Sequence, residues 1–171
     1  FVSHFGELEK DSAMTIWQYQ RQLIRRLLQW SLFSLGVGGV LMLGRRFWRD
    51  VGKQFIGWAL IDLLIAYLGI RGSAQRRAEL PDPDAPEVLE SETRNLRYLL
   101  EVNTLLDVVY MFAGRWLIRR GSPGTGWGIL IQGTFLFLFD LFHAGNPPAP
   151  QLPPPKPAPK KRAPRKRKTE E

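Results

Sequence analysis

The 171-residue chain has no cysteine. That excludes disulfide frameworks, thiolate zinc sites, iron–sulfur clusters and cysteine nucleophiles. Histidine is nearly absent too: His4 and His143 are the two in the chain, too few for the axial pairs of a di-haem membrane cytochrome. Enzyme signatures are also missing. No nucleophile–base pair stands in a recognisable context, no glycine loop cradles phosphate, and no metal-ligand spacing occurs. Gly36-x-Gly38-Gly39 resembles a phosphate loop by composition only, because no strand precedes it, so close helix packing explains it better. The sequence therefore predicts a protein that is not an enzyme and that needs no cofactor and no metal.

Charge is lacking over long stretches. Residues 27–44 carry none, residues 54–70 only Asp62, and residues 126–144 only Asp140 among acids and strong bases. Residues 98–118 carry Glu101, Asp107 and Arg115. Each run is long enough to cross ~30 Å of hydrocarbon at ~1.5 Å per residue. A soluble four-helix bundle of the same length would keep a charged face on every helix. Residues 27–44 and 126–144 are instead apolar nearly all round. The expected fold is all-α: a membrane four-helix bundle of two antiparallel hairpins, with spans at about 27–44, 54–70, 98–118 and 126–144.

What is abundant sits at the end. Residues 146–171 hold nine of the thirteen prolines, and eight of the twenty-four lysines and arginines against Glu170 and Glu171. That tail carries +6 of the chain's net charge of +8, and the rest is nearly neutral. A basic folded surface for nucleic acid is thus not what the net charge reports. Proline at this density prevents a helix, and the scarcity of apolar residues prevents a core, so residues 145–171 are expected to form a disordered, polyproline-like tail. Lys160, Lys161, Arg162, Arg165, Lys166, Arg167 and Lys168 suit anionic lipid headgroups, at about 1 kcal/mol per base near the surface. Nucleic acid ranks below lipid as their partner, since no aromatics are interleaved with the bases.

The connections divide the bundle. Residues 45–53 and 119–125 are short and predict hairpins. Residues 71–90 read as a longer acidic link punctuated by Pro81, Pro83 and Pro86, with the third helix starting near Glu87. Residues 1–26 form an N-terminal amphipathic segment that lies in the interface or lengthens the first span. The start FVSHFGELEKD has neither a basic nor an apolar leader region, so a processed or truncated end is expected rather than an intact signal peptide. Gly57-Trp58 and Gly126-Trp127 suggest a degenerate repeat of the two hairpins about an axis along the membrane normal. Lys and Arg favour the side of the termini, which places both termini in the cytoplasm, although the tip around Arg45, Arg46 and Arg49 pulls the other way.

A polar side chain amid such runs needs a reason. Asn103, Asp107, Tyr110 and Gly114 recur on one helical stripe, and Trp58, Asp62, Ala66 and Gly69 on another. Asp62, Asn103, Asp107, Tyr110 and Gln132 are expected to form one intramembrane polar cluster. Ser31, Ser34 and Gly38 offer small surfaces where a helix can approach. Arg25, Arg26, Arg97, Glu101, Asp140 and His143 are expected to form an ion-pair layer at the boundary nearer the termini. Two readings of the cluster stay open: hydrogen bonds that fix the packing, or a site where Asp62 and Asp107 handle a proton or cation.

LLEVNTLLDVVYMFAGRWLIRRG (99–121) followed by GWGILIQGTFLFLFDLFHA (126–144) resembles an uncharacterised bacterial family of small four-helix membrane proteins. The resemblance rests on Glu101, Asn103, Asp107, Tyr110, Gln132, Gly133, Phe139 and Asp140, and more loosely on GWALIDLLIAYLG (57–69). It implies the four-span fold and no mechanism. The resulting expectation is a multi-pass protein of the bacterial inner membrane, a structural or interaction subunit with a buried polar packing network. The alternative is a small transporter or channel-like protein using Asp62 and Asp107. The expected partners are the bilayer and either a membrane protein or further copies of the chain.

Overall fold

Thr15 opens the first helix. Its hydroxyl accepts the Gln18 backbone N–H at 3.2 Å, and the Gln18 side chain takes the Thr15 N–H at 3.0 Å. That reciprocal cap satisfies two donors that a helix start leaves open. The computed structural model describes residues 14–148 and folds them into four helices. They are α1 (Ile16–Leu41), α2 (Arg46–Glu79), α3 (Pro86–Arg119) and α4 (Pro123–Gly145). Residues 1–13 of the N-terminal segment and the basic tail from 149 onward lie outside the described residues.

Of the two readings of the stretch before Leu27, the structure shows the one that lengthens the first helix, as the first part of an unbroken α1. Two boundaries differ from expectation. The turn between α1 and α2 takes only residues 42–45, since Arg46–Lys53 is already helical. The link expected over 71–90 shrinks to 80–85, because α2 continues to Glu79. Residues 73–79 are mostly good helix formers, Arg76 and Arg77 suit the negative end of the helix dipole, and Gln75 bonds Glu79 one turn on at 2.8 Å. Pro81 ends the helix, and Pro86 starts α3 at a position where a missing N–H costs nothing. The second tip turns at Gly121, whose φ of +84° an L side chain resists.

The chain forms two hairpins, α1 with α2 and α3 with α4, joined side by side through α2 and α4. Glycine sets the approach near the tips. A Cβ on Gly114 would lie 2.8 Å from the Gly126 carbonyl oxygen, and one on Gly38 would lie 3.0 Å from that of Gly52. These two backbone crossings are equivalent, one per hairpin. The two hairpins thus share a glycine crossing, in a different register from the Gly-Trp echo: Gly57 faces open space while Gly126 is clamped. Buried positions follow the same register. Ser31 and Gly38 match Asp107 and Gly114, while Gly52, Ala59, Asp62 and Ala66 match Gly126, Gly133, Leu136 and Asp140.

Among the described residues there are two apolar cores. One, with Ile24, Leu27, Ala66 and Leu136, lies between the hairpins. The other, with Ile16, Trp17 and Leu89, ties the start of α1 to the link and the start of α3. There the Trp17 indole N–H donates to the Pro83 carbonyl at 3.0 Å, and Arg77 stands 6.0 Å from the Trp17 ring centre. Arg76 pairs with the buried Glu92 beside it. At ~1.5 Å per residue, helices such as α2 and α3 run about 50 Å, and their terminal-side ends build this collar. By length and composition, α2 and α4 are apolar enough to cross a membrane.

Candidate functional site: three buried aspartates

Gly128 packs on Gln54 and Gly124 on Asp50, which fixes the register of α2 against α4. Carried about two turns along, that register sets Asp62 level with Leu136. Gly133 lies against Asp107 and Tyr110 of α3. Side chains lean toward the N-terminus of their own helix, so on antiparallel α3 and α4 Asp107 and Asp140 lean toward each other. Asp62, Asp107 and Asp140 are 2%, 4% and 7% exposed. The same registers put Asp107 level with Gly133, so the three lie within about two turns of one another along the bundle. Among the described residues, Asp62 Oδ2 and Asp107 Oδ2 are buried without a hydrogen-bond partner. Among the described residues, no ion pair includes any of the three.

Gln132 takes a different part from the one expected. Fully buried on α4, it faces α1, accepting the Trp30 indole N–H at 3.0 Å and donating to Ser34 Oγ at 3.2 Å. Trp30 in turn stacks on Phe135, with ring centres 3.4 Å apart. Tyr110 packs edge-on against Trp58 at 4.8 Å, and Asn103 is half-buried. Of the five residues expected in one cluster, Gln132 thus joins an amide network against α1, Asp62 and Asp107 are the buried acids of α2 and α3, and Tyr110 packs on Trp58.

The expected boundary layer does not form as a layer. Arg97 pairs with Glu101 at 2.8 Å, but both are exposed on one face of α3, where such a pair contributes little. Arg25 is exposed. Arg26 reaches His143 Nε2 at 3.0 Å, and His143 Nδ1 lies 2.6 Å from the Phe139 carbonyl. Asp140 belongs with the other two aspartates rather than with the arginines. Its signal was present in the sequence: Gln132, Leu136 and Asp140 recur every fourth residue, which is the buried stripe of α4. Glu92 was also missed, although Leu89, Glu92 and Leu96 share one helical face.

A cavity of about 380 Å³ opens between α1, α2 and α3 toward the collar. Leu23, Ile24, Leu27, Ala66 and Leu96 line it, and none of the three aspartates does. Among the described residues, no group of three or more His, Cys, Asp or Glu has the arrangement to hold a metal ion.

The model of a family of unknown function, DUF6992, matches residues 26–141. The chain belongs to that family. The DUF6992 region spans all three aspartates, Trp30, Ser34 and Gln132, and ends just short of His143. No curated protein and no solved structure matches the chain.

Proposed function

We propose that this DUF6992 member is a four-span protein of the bacterial inner membrane, a structural or interaction subunit rather than an enzyme. The observation that carries the reading is an inside-out distribution of side chains. Large apolar residues face outward on every helix, among them Val40 at 70%, Leu64 at 56%, Phe112 at 70% and Phe142 at 59% exposure. The inward positions include Ser31, Ser34, Asp62, Asp107 and Gln132, beside small or apolar residues such as Ala59, Ala66 and Leu136. Water would penalise that pattern, whereas hydrocarbon requires it, because lipid offers polar groups no hydrogen-bond partner. The closed contacts of Gln132 with Trp30 and Ser34 supply interhelical bonds of the kind that fix packing in membranes. In the same reading both termini face the cytoplasm, and the basic tail meets anionic headgroups there.

Since the chain has no cysteine, single cysteines report topology without background. Arg45→Cys and Arg119→Cys at the tips should be labelled by an impermeant maleimide from one face of membrane vesicles. Asp82→Cys in the link should be labelled only from the other. Equal labelling of all three from one face, or release of the protein by an alkaline wash, would end the four-span reading.

A further inference from the structure

We propose that Asp62, Asp107 and Asp140 form a proton-binding site, in which carboxyl groups from α2, α3 and α4 hold exchangeable protons between them. The site goes beyond membrane embedding, and its test does not depend on which way the termini face.

Gln132 shows what a purely structural polar group looks like in this bundle. It is fully buried, and both ends of its amide are used. The aspartates are buried as well, yet Asp62 Oδ2 and Asp107 Oδ2 have no hydrogen-bond partner among the described residues. An asparagine at either place would serve packing as well without the cost of a buried acid. A carboxyl group differs from an amide in one respect that matters here: it can release its proton. Three such groups on three different helices, with no base paired to any of them among the described residues, make a local store of protons rather than a set of ion pairs.

The surroundings leave the proton as the fitting ligand. From α1, the groups at this level are Ser31, whose hydroxyl donates to the Leu27 carbonyl at 2.8 Å, and Ser34, which is taken by Gln132. Tyr110 on α3 packs against Trp58. His143 lies nearly one turn beyond Asp140 on α4, held by Arg26 from α1, and the Tyr19 hydroxyl donates to the His143 backbone carbonyl. Arg26 and His143 bond to each other, so neither neutralises an aspartate by a direct contact. A divalent ion would need a grouping of ligands that the described residues do not provide. Buried acids near one another repel as anions, and binding a proton relieves both that repulsion and the cost of a buried charge.

The experiment is infrared spectroscopy of the full chain in detergent or bilayers near neutral pH, before and after transfer to deuterated buffer. Exposed carboxyl groups are ionised there, so a C=O stretching band of protonated carboxyl reports the buried acids. We expect such a band, a shift to lower frequency within minutes of deuteration, partial loss in Asp140→Asn, and loss of most of the band in Asp62→Asn/Asp107→Asn. The wild-type spectrum is informative even where a variant fails to fold. The proposal is overturned by absence of the band, by a band that does not exchange, by one that persists in folded Asn variants, or by one that disappears at constant pH on adding sodium or potassium chloride.

Discussion

The guanidinium of Arg26 lies 3.0 Å from Nε2 of His143, and this contact fixes the state of the imidazole. Arginine has donors only, so Nε2 must accept. The ring proton then sits on Nδ1 and is donated to the Phe139 carbonyl at 2.6 Å. His143 is therefore a neutral Nδ1–H tautomer, bonded at both nitrogens. Nitrogen NMR of the labelled ring should show that single tautomer near neutral pH. Arg26→Ala should leave the Nδ1 proton hydrogen-bonded to the Phe139 carbonyl but free Nε2 to take up a second proton on acidification, whereas an unchanged titration would mean that Arg26 does not hold Nε2 as an acceptor.

Gln132 should be the costliest polar side chain to remove from the interior. Gln132→Met keeps its length but loses the bonds to Trp30 and Ser34. Two interhelical bonds at about 0.6 kcal/mol each set a floor, and an unpaired indole N–H raises the loss toward about 3 kcal/mol. Thermal unfolding in detergent measures the loss. Tryptophan fluorescence should change with it, because Trp30 is stacked on Phe135.

Two glycines should respond in opposite ways to a methyl group. In Gly114→Ala the new Cβ would lie 2.8 Å from backbone oxygen of α4, so the hairpin must open, costing about 1–3 kcal/mol. At Gly57 nothing lies within 4 Å, so Gly57→Ala should be neutral or stabilise by up to about 1 kcal/mol through better helix propensity. A pair of melting temperatures, one lowered and one not, is the expected outcome.

Tyr19 links stability to alkaline pH. Burial pushes its phenol above the usual tyrosine range, with Arg26 opposing, and its O–H donates to the His143 carbonyl at 3.0 Å. A group that holds its proton more tightly when folded contributes stability below its unfolded pKa and loses it as pH rises through the folded value. Unfolding experiments across the alkaline range should show that decline, and Tyr19→Phe should flatten it.

Helix existence and partnership were legible because long apolar runs and short, glycine-bearing tips leave few alternatives. The ends were not, because a run of apolar residues marks where hydrocarbon-like surface stops, not where hydrogen bonding stops. Arg71 to Glu79 is polar and helical at once. The polar stripes of α2 and α3 could be read from spacing, and Asp62 and Asp107 do lie in the same region. Asp140 was misplaced because nearness to a helix end was weighed above its four-residue spacing from Leu136. Gln132 turning toward Trp30 depends on how α4 is rotated against α1, a tertiary property that no single helix encodes.

The glycine crossings have a consequence for how the chain is made. Each hairpin closes on its own tip, Gly38 against Gly52 and Gly114 against Gly126, so the contacts formed first are between neighbours in sequence, which assemble quickly. During translation α1 and α2 can enter as a finished pair before α3 has been synthesised. The acids are completed only afterwards, since Asp62 belongs to the first pair and Asp107 and Asp140 to the second. Two polypeptides divided within 80–85 carry everything needed to zip each hairpin, and their reunion would build the centre anew.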